Sequence, residues 1–302
     1  MTAESVTVRA PAKVNVQLAV GDQRPDGFHD LANVFLAVGL YDDVTASRSD
    51  GGLRVTAEGR DTGGIPLDET NLAARAAVLL AKRYGIEPDV RLHIVKDIPV
   101  AGGMAGGSAD AAAALVACDA LWGTGATHQE LLAICAELGS DVPFSLVGGA
   151  ALGLGRGELL TPVEVGGSFH WVFVTAQEGL PTPAVYRECD RLRRAEPEFV
   201  AEPVADSALL AALRAGDASA LAASLPQSND LQRAALSLRP ELGDTLSAGL
   251  SAGALAGLVS GSGPTVAFLV PDGSAASRLA ETIPHAHPAT SPAPGATQLA
   301  RR

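Results

Sequence analysis

The stretch PVAGGMAGGSADAAAALVACDALW, Pro99 to Trp122, constrains this chain more than any other. Glycines occupy 102, 103, 106 and 107, and an alanine-dense run follows. Glycine loses more freedom on folding than any other residue, so such a cluster marks a sharp turn or a close approach to the backbone. DVRLHIVKDIP alternates like a strand and runs directly into the loop, while Ser108 to Leu121 reads as a helix. The start of a helix offers free N–H groups and partial positive charge, which suit an anion and above all phosphate. Ser108 is placed either to cap that helix or to turn its hydroxyl toward a phosphate or metal. A tight strand-to-helix connection is the plainer reading of the same glycines. The loop holds no lysine, which excludes GxxxxGK[ST], and its spacing is not GxGxxG.

The remaining pattern predicts an α+β chain. SVTVRAPAKVNVQLAV alternates on both sides of Pro11 and predicts two short strands joined at a kink. GDQRPDGFHD carries turn chemistry, and LANVFLAVGLYDDVTASRS and GGLRVTAEG read as further strands. Asn71 to Tyr84 has helical spacing and stops at Gly85, and His128 to Leu138 forms a helix stopped by Gly139. The second half reads as a strand in HWVFVTA, a helix beginning near Pro183, a helix pair in SALLAALRAGDASALAASL, and strand–turn–strand in LVSGSGPTVAFLV. Strands first, then helices, with strands recurring, favour α+β over a doubly wound parallel sheet. The expected domains are 1–160 and 161–284, and the Pro-, Ala- and Ser-rich tail at 285–302 is expected to be disordered.

Composition narrows the function. A net charge of -12, with no cluster of Lys and Arg, argues against a nucleic-acid surface. The three cysteines, Cys118, Cys135 and Cys189, form no CxxC pattern and fit reduced thiols in a cytoplasmic protein. No basic-then-apolar leader opens the sequence, and no apolar run reaches spanning length without interruption, so no membrane is expected.

Three segments complete the reading: PAKVN, PVAGGMAGGSADAA and VSGSGPTVAF, accompanied in order by RPDGFHDL, GSDVPF, GRGELLTP, LPTPAVY and SND. From about Val6 to Val270 the chain resembles the GHMP kinases. That resemblance implies two α+β domains with the active site in the cleft between them, and ATP and Mg²⁺ as cofactors. It implies an acceptor with a cytidine diphosphate moiety, phosphorylated on the 2-hydroxyl of its methylerythritol in isoprenoid precursor synthesis.

By resemblance, Lys13 and Asp141 are the catalytic pair, and the chemistry agrees. Phosphoryl transfer to an alcohol calls for a carboxylate at the hydroxyl and a cation near the developing charge. Lys13 lies in an apolar stretch where an unpaired charge is costly, so Asp141 is its expected partner. Without the resemblance, Asp141 reads as a turn or cap residue. ATP would be held by Pro99, Val100, Ala101, Gly102, Gly103, Met104, Ala105, Gly106, Gly107 and Ser108. Lys96 either approaches the nucleotide or solvates a strand edge, and Asp110 reads as an acidic residue in a helix's first turn. Substrate contacts would fall to Asn15, Phe28, His29, Tyr186 and Asp141. Asn15 shares a strand face with Lys13, His29 would bond the cytosine edge, and Phe28 and Tyr186 would flank the base.

The chain departs from the family pattern at three places. Phe28 stands where Tyr is usual, and Met104-Ala105 and Ala109 interrupt the usual GLGGGSS. The main-chain donors to ATP survive those changes. A homoserine- or mevalonate-type kinase would leave DGFH and TPAVY without work. A silent nucleotide-binding relative would have no need of both Lys13 and Asp141. The oligomeric state and the Mg²⁺ ligands stay open at this level.

Overall fold

A computed structural model describes residues 4–60, 62–100, 102–176, 178–195 and 200–300. Its frame is a long hairpin of β1 (Ser5–Gln23) and β2 (His29–Arg48). Contrary to the expected pair of short strands, β1 runs through Pro11 as one strand. Register shifts between Pro11 and Ala12 and between Asn15 and Gln17 absorb the irregularity. At the first shift Gly39 and Leu40 of β2 fall outside the register, so the ladder is interrupted beside Pro11 and its missing N–H is tolerated. From Ala10 to Leu18 every residue of β1 is buried, Lys13, Asn15 and Gln17 included.

The first unit continues with β3 (Arg54–Gly59), α1 (Leu72–Tyr84), β4 (Val90–Lys96) and α2 (Gly106–Trp122). It closes with α3 (His128–Leu138), α4 (Val142–Val147), β5 (Ala150–Leu154) and β6 (Leu159–Pro162). Asn71 caps α1 by accepting the Ala73 N–H, and left-handed Gly85 ends it as expected. Ala111 to Ala114 of α2 are fully buried, because small side chains let this helix lie close against α1 and the hairpin. The helix begins at Gly106, so Ser108 is its third residue and not its cap; that place belongs to Ala105.

The second unit holds β7 (Phe169–Val174), α5 (Thr182–Ala195), α6 (Ser207–Ala215), α7 (Ala218–Ser224), α8 (Gln232–Leu238) and α9 (Glu241–Ser251). β8 (Ala256–Val259), β9 (Val266–Val270), α10 (Gly273–Thr282) and β10 (Ala286–Ser291) complete it, and β11 (Thr297–Gln298) returns to pair with β1 of the first unit. A seven-stranded sheet has the order β11-β1-β2-β4-β3, with β5 also on β2 and β6 on β5. A four-stranded antiparallel sheet has the order β10-β7-β9-β8. The architecture is the two-domain α+β one.

Alternation along β9 explains how the units join. Ala267 and Leu269 face a core shared with the long hairpin, while Val266, Phe268 and Val270 face the core of the second unit.

The expected disorder of 285–302 is corrected for its described residues. β10 adds an edge to the second sheet and β11 pairs with β1, setting Val8 opposite Gln298. Composition misleads here because strand pairing uses main-chain groups. Ser291 adds a side-chain anchor by accepting the Trp171 indole N–H at 2.9 Å.

Candidate active site

A cavity of about 980 Å³ lies where the two units meet. Its walls come from the long hairpin, the glycine loop, the starts of α4 and α5, and the turn at Gly261 and Ser262.

At one end the carbonyls of the glycine loop are held by the surrounding chain. Gly102 and Gly103 adopt φ of 97° and 82°. The Ser260 hydroxyl donates to the Gly103 carbonyl and the Thr265 hydroxyl to that of Gly102, each at 2.8 Å. The Lys13 N–H donates to the Met104 carbonyl at 3.2 Å. A Cβ at Gly103 would lie 2.6 Å from the Ser260 carbonyl oxygen, so glycine is required there. Ala105, the N-cap of α2, is left-handed at φ 59° and supplies no side-chain cap. A left-handed alanine costs about 1–2 kcal/mol. The first-turn N–H groups of Gly106, Gly107 and Ser108 therefore lack side-chain acceptors, which fits the oxygens of a phosphate. Pro99 and Val100 line the cavity too, and Met104 is buried behind the loop. Ala101 lies outside the described residues.

Lys96 lines the cavity beneath the loop and does not solvate a strand edge. Its amine is buried between Asp42 and Asp110, 2.7 Å from Asp110 Oδ2, with its side chain 2% exposed. It forms part of the floor under the loop, but its charge is spent on two carboxylates. Asp42 Oδ1 also accepts the N–H groups of Asp97 and Ile98, at 2.8 and 2.9 Å, and so fixes the entry to the loop. Burial acts to lower the Lys96 pKa, but Asp110 and Asp42 outweigh it and the amine is raised. Asp110 is a buried partner of Lys96 and not a solvated first-turn acid. Burial raises its carboxyl to about 7 against the pull of Lys96. Its Oδ1 is the one buried side-chain N or O atom among the described residues without a hydrogen bond.

The centre of the cavity joins the expected pair. Lys13 Nζ lies 3.4 Å from Asp141 Oδ2 and donates to Asn15 Oδ1 at 2.6 Å. Asn15 in turn donates to Asn33 Oδ1 at 2.8 Å across the hairpin. Three polar side chains are thus aligned on one sheet face by the period of two. Asp141 sits at the N-cap position of α4 but makes no cap bond, leaving its carboxylate, one-third exposed, to the cavity. Mg²⁺ is commonly held by one or two carboxylates together with substrate phosphates. The Asp141 carboxylate, which makes no cap bond, and the Ser108 hydroxyl beside the uncapped helix start fit that donor set.

The opposite end is built from side chains. Phe28 is 50% exposed on the rim, with the Arg156 guanidinium 4.9 Å from its ring centre. His29 is buried, its ring 5.1 Å from that of Tyr186 and tilted by 33°. Burial raises the Tyr186 pKa, and the charge of Asp141 adds to it. The His29 Nε2 lies 2.9 Å from Asp190 Oδ1.

Four residues of this arrangement escape a reading of the sequence. Asp190 lies one turn beyond Tyr186 on α5, so the i, i+4 spacing was a signal for it. Asn33 faces Asn15 only through the pairing of β1 with β2. Asp42 carries no local signal, and Asn229 lies in the SND segment but nothing local shows what it holds. The Asn229 amide donates to the carbonyls of Val259 and Gly261, at 2.7 and 2.8 Å, and holds the turn that braces the glycine loop.

Comparison with known proteins adds to this geometry. Residues 71–149 match the GHMP kinases N terminal domain, and residues 209–289 the GHMP kinases C terminal domain. A 4-diphosphocytidyl-2-C-methyl-D-erythritol kinase of Streptomyces coelicolor is 71% identical over 92% of this chain and 92% of its own. One from Thermobifida fusca is 56% identical over 97% and 98%. Among solved structures, a 4-(cytidine 5'-diphospho)-2C-methyl-D-erythritol kinase is 33% identical and superposes with a TM-score of 0.78, covering 94% of this chain and 98% of its own. A homoserine kinase from Cytophaga hutchinsonii, 22% identical, shares the fold with a TM-score of 0.73 over 98% of each chain.

Proposed function

The chain belongs to the GHMP kinases, and from that premise we propose how its cavity works. The enzyme is an ATP-using kinase whose acceptor is 4-diphosphocytidyl-2-C-methyl-D-erythritol, in the non-mevalonate route to isoprenoid precursors. It moves the γ-phosphoryl group to the 2-hydroxyl of that acceptor in the cytoplasm. The reading is carried by one observation: the Lys13–Asp141 pair, 3.4 Å apart, lies in one cavity with the uncapped start of α2 and the aromatic end.

The N–H groups of Gly106, Gly107 and Ser108 hold the phosphates of ATP with main-chain donors, so the alanines in this loop are tolerated. Asp141 accepts the hydrogen of the acceptor hydroxyl and orients its oxygen for in-line attack. Lys13, fixed by Asn15 and Asn33, sets positive charge against the charge that develops on the phosphoryl oxygens. Ser108 and Asp141 would hold Mg²⁺ together with the nucleotide, and the ion would supply further neutralisation of the phosphoryl oxygens. His29 and Tyr186 take the cytosine, and Phe28 closes its outer side as an aromatic without a hydroxyl. An acidic protein thus binds two anionic ligands through local donors and not through net charge.

The test is a substrate panel. With ATP and Mg²⁺, the purified protein should release ADP with the cytidyl acceptor and not with mevalonate or homoserine. Silence with the cytidyl acceptor overturns the assignment.

A further inference from the structure

We propose that Asp190 is a positioning residue that fixes the tautomer of His29 and so makes the cavity select an amino group over a carbonyl at C4 of the acceptor's pyrimidine. The proposal rests on the cytidine reading given above and adds to it the origin of the discrimination between bases.

The argument starts from one hydrogen bond. His29 Nε2 and Asp190 Oδ1 are 2.9 Å apart, and the two side chains are 4% and 11% exposed. A carboxylate only accepts, so the hydrogen of the neutral imidazole sits on Nε2 and Nδ1 is left with a lone pair. Nδ1 makes no hydrogen bond among the described residues, and His29 lines the cavity, so Nδ1 is the ring nitrogen left for a base bound there. At C4, cytosine carries an amino donor, whereas uracil carries a carbonyl acceptor. A lone pair at Nδ1 attracts the first and repels the second. With the other tautomer the preference would reverse.

The packing keeps this arrangement in place. Tyr186 and Asp190 are one turn apart on α5, so the ring beside His29 and the carboxylate that orients it belong to one helix face. The imidazole cannot rotate away without breaking a bond that is largely shielded from water, and a buried donor left unpaired is costly.

The experiment compares acceptors carrying cytidine diphosphate or uridine diphosphate on the same methylerythritol. In the unaltered protein kcat/KM should favour cytidine by about 100-fold or more, as sites built around a specific hydrogen bond do. Asp190→Asn can offer either its oxygen or its NH₂ group to Nε2, which frees the tautomer. It should cut the cytidine-to-uridine ratio at least about tenfold, raise KM for the cytidyl acceptor, and leave kcat and KM for ATP nearly unchanged. The ¹⁵N resonances of His29 should report the Nε2–H form in the unaltered protein and a shift toward Nδ1–H in the variant. An unchanged ratio in a variant with normal KM for ATP overturns the proposal. If Asp190→Asn does not fold, the ¹⁵N spectrum of the unaltered protein decides, and an Nδ1–H form overturns it. If neither acceptor is phosphorylated, the kinase assignment falls. The inference is then read separately from the binding of cytidine and uridine diphosphates, where equal affinity overturns it.

Discussion

The two ends of the cavity are made of different material. At the glycine loop the donors are main-chain N–H groups, held in place by the hydroxyls of Ser260 and Thr265 and by the Lys96 cluster beneath. At the aromatic end everything depends on side chains: Phe28, His29, Tyr186 and Asp190. A backbone site tolerates changes of side chain as long as its φ and ψ values survive, so it accepts Ala105 in place of a glycine. A side-chain site loses its chemistry with a single replacement. In the proposed function the first end would hold a donor common to many kinases, and the second would distinguish one acceptor from others.

Asp141→Asn, at the junction of the two ends, should give the largest effect. Loss of a positioned base lowers kcat by about 10²–10⁴-fold, and nucleotide titration should show ATP binding nearly intact. A smaller loss would mean that Lys13 and the loop do most of the work.

Next comes Tyr186→Ala. Stacking of a base on an aromatic is worth about 1–3 kcal/mol, so KM for the cytidyl acceptor should rise while KM for ATP stays fixed. A parallel rise in both would erase the division between the ends. Gly103→Ala is the mirror test. Its Cβ would meet the Ser260 carbonyl at 2.6 Å at a φ of 82°. Overpacking of this kind costs about 1–3 kcal/mol, and initial rates should show it as a raised KM for ATP alone.

Two smaller effects probe the loop's foundation. Ala105→Gly relieves a left-handed alanine and should stabilise the protein by about 1 kcal/mol in denaturant titrations. Asp110 gives a pH dependence. Burial raises its carboxyl from 3.8 to about 7, so the folded state keeps a proton that the unfolded chain has released. Stability from this group therefore falls as pH rises between roughly 4 and 7. Asp110→Asn should flatten that slope in thermal melts, and an unchanged slope would assign it to other carboxyls.

Much of this was legible in the sequence. The helices from Leu72 to Tyr84 and from His128 to Leu138 follow from caps, stops and spacing, which are local signals. Lys13 and Asp141 were legible as a pair only through the family resemblance, with which a lysine in an apolar stretch agrees, and they meet at 3.4 Å. Less legible were features whose causes lie far apart in the chain. Ser108 resembles a cap by residue type, but glycine and left-handed alanine let the helix start two residues earlier. The tail reads as disordered by composition, yet strand edges at β7 and β1 capture its main chain.

By itself the sequence determined the strand, the glycine loop, the helix and the order of segments around them, because turn chemistry, capping and periodicity act over a few residues. Tertiary structure alone decided the rest. It spent the charge of Lys96 on Asp42 and Asp110, 54 and 14 positions away, and it brought Asp190 to His29 across 161 positions. A charge reveals its partner only after folding has removed the water that would otherwise solvate it.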